Sequence, residues 1–83
     1  MAKIIVTVSD KFGRFSYDLE MPDDVPCQKL LGDIIQTVSH YNNGIFFHPN
    51  RTKLTSEKLG RALRPEENLE TAGIWSGDKL TIG

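Results

Sequence analysis

The chain has a single cysteine, Cys27, so no intramolecular disulfide can form and a reducing compartment is its simplest setting. No stretch approaches the roughly 20 apolar residues of a membrane span. The opening apolar run, Ile4-Ile5-Val6, is too short for a secretory leader. Without a leader, Asn50-Arg51-Thr52 is a chance glycosylation sequon. Neither sign of charge dominates: 10 basic and 11 acidic side chains are interspersed and sum to −1. That balance argues against nucleic acid or an anionic membrane as the main partner. The expectation is one cytoplasmic domain over residues 1–83 that meets protein partners and does not insert into a membrane.

Signals for chemistry are equally sparse. A thiol at a helix start can be acidified, but no histidine lies near Cys27 in sequence, and it reads as a small apolar residue rather than a nucleophile. His40 and His48 are eight residues apart, which matches no usual ligand spacing. Gly60 and Gly77 fall in turns and open no helix, so they cradle no phosphate. No catalytic residue, metal or cofactor is expected.

What is present is periodicity. Residues Lys3 to Ser9 alternate with β-branched side chains, and Ile4, Val6 and Val8 share a face. Asp10-Lys11-Phe12-Gly13 is a turn. From Arg14 to Met21, Phe15, Tyr17, Leu19 and Met21 alternate with polar residues, predicting a hairpin with one buried face. Pro26 suits the first position of a helix running from Cys27 to about Tyr41, with Asp23 and Asp24 near its positive end. Leu30, Leu31, Ile34, Ile35, Val38 and Tyr41 form its apolar stripe. Asn42-Asn43-Gly44 supplies a left-handed cap.

The second half reads less clearly. Ile45-Phe46-Phe47-His48-Pro49 fits either a short strand or a loop plugging the core, with Pro49 opposing a central strand. Arg51 to Leu59 is expected to form a polar, marginal strand anchored by Leu54, with a short helix from Ser56 as the rival. Gly60 is placed at a hairpin tip leading into a very short strand, and 64–68 form a surface turn. Leu69, Ala72 and Ile74 anchor a short turn before the last strand, Lys79 to Ile82.

A hairpin covered by one helix, with the last strand returning beside the first, is the β-grasp arrangement. The expected fold is α+β: a mixed sheet of four to five strands with the main helix, about 26–42, packed on one face. Parallel pairing of the outermost chain segments would put Val6 and Leu80 in one buried layer. The strand ending at Gly83 leaves no free diglycine tail, which weighs against covalent transfer as a modifier or sulfur carrier.

Particular residues narrow the resemblance. Asp18-Leu19-Glu20-Met21-Pro22, Asp24-Val25-Pro26 leading into Lys29-Leu30-Leu31, Leu69-Glu70-Thr71-Ala72-Gly73-Ile74 and Ser76-Gly77-Asp78-Lys79-Leu80 together resemble the YukD/EsaB-type ubiquitin-like proteins of bacterial type VII secretion systems. They are also similar to the cytosolic domain of the EccD membrane components. The likeness spans nearly the whole chain at low identity, and the third strand is less apolar than the family's usual one. It implies a non-enzymatic accessory or regulatory subunit whose partners are the membrane-embedded machinery or its ATPase. An atypical modifier, a sulfur carrier or a β-grasp subunit of another assembly is the alternative.

Aromatic residues outside the apolar rows are the best candidates for a partner surface. Trp75 should point outward if Ile74 points in, Phe46 and Phe47 cannot easily both be buried, and Phe12 sits in a turn. Trp75, Phe47, Phe12 and Phe46, with Arg51 and Lys53 nearby, form the expected interface.

Overall fold

Alternating β-branched residues build the first element and the sheet grows from it. In the computed structural model, which describes residues 2–48 and 50–83, β1 (Lys3–Asp10) pairs antiparallel with β2 (Ser16–Pro22). Met1 and Pro49, the latter read above as opposing a strand, lie outside the described residues. Val6 faces Leu19 and Val8 faces Tyr17 across the hairpin, so the expected inward rows coincide. The turn uses Gly13 at φ +74°, a backbone region that side chains disfavour. Strand β2 begins two residues later than the alternation suggests because Arg14 turns back. Its guanidinium and backbone N–H donate to the Asp10 carboxylate, whose side chain has no solvent exposure.

Helix α1 (Cys27–Tyr41) follows. Pro26 is the residue before the first helical turn rather than within it, with ψ at 139°, a one-residue displacement typical of helix ends. No side chain caps this terminus. The N–H groups of Cys27 and Gln28 instead donate to the carbonyls of Glu67 (2.8 Å) and Pro65 (3.0 Å), which satisfies donors a helix start leaves open. Asp23, expected near the helix dipole, uses its carboxylate to accept from the Ala2 N–H. The buried stripe is Cys27, Leu30, Ile34 and Val38; Leu31 and Ile35 are half-buried. Tyr41 departs from the expected stripe and is 63% exposed, its ring packed on Tyr17 at 5.6 Å. The left-handed cap is also corrected: Asn42 ends the helix at φ −130°, and the positive φ falls at Gly44.

The sheet order is β2-β1-β5-β3-β4. Strand β5 (Lys79–Ile82) runs parallel to β1 and antiparallel to β3 (Leu54–Ser56), so the end of the chain occupies the sheet centre. Val8 lies opposite Leu80, and Leu54 opposite Ile82. Val6, Val8, Leu80 and Ile82 have no exposed surface, and Leu30, Ile34 and Val38 of α1 belong to the same core cluster. The third strand is much shorter than the Arg51–Leu59 stretch expected. Ser56 ends it: its carbonyl accepts from the Gly60 N–H and its hydroxyl from the Leu59 N–H, closing a turn over 57–60. Strand β4 (Arg61–Ala62) returns along β3. Helix α2 (Leu69–Ala72) is one turn, held by a reciprocal Asn68–Thr71 capping box and closed by Gly73 at φ +76°.

The 64–68 turn is fixed by Glu67. Its carboxylate accepts from both terminal nitrogens of Arg61 (2.8 and 3.2 Å) and from the Arg64 N–H. Those bonds, Arg61 first, hold its carboxyl down at about 2, against an ordinary 4.5. The same loop caps α1, so this ion pair steadies the helix start.

Replacing Leu80 by Ala should cost about 2–5 kcal/mol, measured by urea unfolding, because it empties a fully enclosed site. Acid should also destabilise the domain in a defined window. The depressed Glu67 contributes stability above its unfolded pKa, which is lost as pH falls from about 4.5 to about 2. The lowered carboxyls of Asp10 and Asp78 act in the same direction. Glu67→Gln should lower the melting temperature at neutral pH and flatten its decline across that window.

Candidate interaction surfaces

The six residues singled out from sequence do not form one surface. Strand β1 separates them. At its beginning, Ile5 donates its N–H to the Ser76 hydroxyl and accepts from the Gly77 N–H, which sets Trp75 beside the start of the sheet. At its far end, the Lys11 N–H donates to the Ile82 carbonyl, and Phe12 follows in the hairpin turn. Five strand residues, Val6 to Asp10, lie between Ile5 and Lys11, a span of roughly 20 Å.

The end at the β1–β2 turn gathers most of the candidates. Phe12 is 72% exposed and Phe46 79% exposed. Phe47 is corrected: it is only 6% exposed, because its ring closes the end of the core edge-on to Phe15 at a centroid distance of 6.1 Å. Residues 45–48 are therefore the core-plugging loop and not a strand. Arg14, held by Asp10, places its guanidinium carbon 5.5 Å from the Phe12 centroid and 5.7 Å from that of Phe47. Lys11 places its ammonium 5.3 Å from the Phe12 centroid. Lys53 exchanges backbone hydrogen bonds with Gly83 (3.2 and 3.4 Å), and the stem of Lys11 crosses the same glycine closely enough to leave no room for a Cβ. Arg51 donates its N–H to the His48 carbonyl in the adjoining loop. The sequence reading passed over Lys11 and Arg14. Their signal was available: they bracket an exposed aromatic, and Arg14 stands four residues after an aspartate.

The opposite end is differently built. Trp75 is 71% exposed. Its N–H donates to Asp78, whose carboxylate also meets Lys58 at 3.0 Å; these bonds, the Trp75 N–H first, lower the Asp78 carboxyl. The open face of the sheet between the two ends is lined by hydroxyls. Ser16, Ser9, Thr81 and Thr55 stand in one row across four strands, with Thr7 bonded to Asp18 at 2.6 Å. Ile5, 52% exposed, lies on this face too, so it offers an incoming apolar partner only a small patch to bury.

Cys27 lies in the core, where burial and then the nearby Glu67 charge push its thiol up to about 11. It stays protonated at neutral pH and is a poor nucleophile. Among the described residues no group of three or more His, Cys, Asp or Glu side chains converges as metal ligands. No helix among them is long and apolar enough to cross a membrane.

The contrast between neighbouring phenylalanines is measurable. Phe47→Ala should cost about 3–5 kcal/mol in thermal or urea unfolding. Phe46→Ala and Phe12→Ala should stay within about 0.5 kcal/mol of the parent.

Comparison with known proteins places this geometry. The family model for protein YukD of the WXG100 protein secretion system (Wss) matches residues 3–82. No curated protein matches. Among solved structures, the ubiquitin of Caldiarchaeum subterraneum aligns at a TM-score of 0.77 and 22% identity, covering 98% of this chain and 91% of that one. The ubiquitin-like domain of the Mycobacterium tuberculosis type VII secretion system protein EccD1 aligns at 0.76 and 23% identity, over 99% and 98% of the two chains. The EccD5 ubiquitin-like domain from Mycobacterium xenopi aligns at 0.80 and 15% identity, over 100% and 94%. At such identities the likeness is one of fold, and the fold is the ubiquitin-like β-grasp expected from the element order. A match that runs through every strand and both helices leaves one assignment: the chain belongs to the YukD family of the WXG100 protein secretion system.

Proposed function

We propose that this chain is a non-enzymatic ubiquitin-like interaction module that serves as a cytosolic accessory or regulatory component of a type VII secretion system. Its partners in this reading are the membrane-embedded machinery or its ATPase. The observation that carries the proposal is the family match across residues 3–82. Two features support it physically. Aromatic side chains stand exposed in turns and loops at the two ends of the sheet, where they can anchor a partner. The lone thiol is buried and protonated.

Binding is assigned to the exposed members of the candidate set, Phe12, Phe46, Arg51 and Lys53 at one end and Trp75 at the other. Phe47 supports the first group from beneath.

Deleting the gene in its host should reduce export of small WXG-motif substrates without changing their synthesis. The parent chain should restore export, whereas a folded Phe12→Ser/Phe46→Ser double variant should not. Unchanged export on deletion would count against the accessory role. Full rescue by the double variant would move the binding surface to Trp75 or elsewhere.

A further inference from the structure

Resting on the interaction reading above, we propose that the end of the domain at the β1–β2 turn is a docking site for an acidic protein segment carrying aromatic or aliphatic side chains. The first support is charge segregation that the near-neutral total conceals. Four of the ten basic residues, Lys11, Arg14, Arg51 and Lys53, lie at this end, with one of the eleven acidic residues, Asp10. Asp10 is buried and engaged by Arg14. The remainder of the chain carries six basic against ten acidic residues. The domain is thus an electric dipole whose positive end coincides with its exposed phenylalanines. Among the described residues, no carboxylate lies within ion-pair distance of Lys11, Arg51 or Lys53.

The second support is the placement of charge relative to apolar surface. Lys11 and Arg14 lie against the Phe12 ring, so a partner that buries the ring also meets both cations. A carboxylate beside an apolar side chain satisfies both requirements at one point, which a purely apolar partner cannot do without desolvating the charges. Arg14 is already oriented by Asp10 and filled against two rings, so little of its freedom remains to be lost on binding.

Geometry favours a short acidic segment over other anions. The domain is only 22–23 Å across its short axes, and an extended nucleic acid would run from the basic end onto the acidic remainder.

The test is a titration of the isotope-labelled chain with a short synthetic peptide of Glu and Asp residues interrupted by Trp. Amide shifts should concentrate at Lys11, Phe12, Arg14, Phe46 and Lys53. Exchanging the acids for Gln and Asn should weaken binding about tenfold or more, and raising salt should weaken it progressively. Lys11→Glu/Lys53→Glu should lose binding to the same degree while melting with the parent; Lys29→Glu/Lys79→Glu should not. Affinity indifferent to Lys11→Glu/Lys53→Glu, or shifts confined to the Trp75 end, would overturn the proposal. So would tighter binding to phosphatidylglycerol vesicles or to oligouridine than to the peptide. The two readings fail separately. Peptide binding with export unaffected by gene deletion leaves the site and removes the secretion role; lost export with no peptide binding does the reverse.

Discussion

The structure depends on the parallel pairing of β5 with β1. That contact joins the two ends of the sequence at the centre of the sheet and brings together Val6, Val8, Leu80 and Ile82, none of which touches solvent. Without it the β1–β2 hairpin would present its inward row to α1 alone, and β3 would lose the strand it pairs with on one side. The arrangement is costly to nucleate, because a loop of some seventy residues must close before the contact forms. It is stable once made because each of its inward side chains is completely enclosed. The later elements serve the same end: α2 and the Glu67-centred turn steer the chain beneath the helix and back toward β1.

What sequence could reveal followed from how local each signal was. The β1–β2 hairpin and α1 carry their own periods, and both appear within a residue or two of expectation. The closing Ile74-to-Ile82 segment was legible because a buried anchor, a flexible turn and an alternating strand occur in order. Strand β3 was legible only as a possibility. Its residues are polar and few, and it exists because β5 and β4 supply partners on either side. Its early stop at Ser56 comes from a hydroxyl and a carbonyl drawn into the next turn, an effect no strand propensity encodes.

The candidate surface shows the same division. Exposure of Phe12 and Trp75 could be read from turn position and alternation, because neighbours in sequence decided it. Phe46 and Phe47 could not be separated that way. The latter is inside because Phe15, more than thirty residues earlier, offers its ring at the open end of the core. Distance between the two aromatic ends was likewise invisible until β1 was seen to lie between them. Charge totals concealed a further point: a sum near zero says nothing of where the signs reside, and here they separate along the molecule.

One consequence of the parallel central pair concerns how the molecule can be handled. Because β1 and β5 point the same way, a sequence fused ahead of β1 would leave beside Asp23, at the sheet end that carries Trp75, whereas one fused after Gly83 would leave between Lys11 and Lys53. An affinity handle or fluorescent label placed downstream would therefore shade the phenylalanine-rich apex and mimic a bound occupant. The same attachment upstream would leave that apex open, so the choice of terminus decides which half of the surface an assay can see.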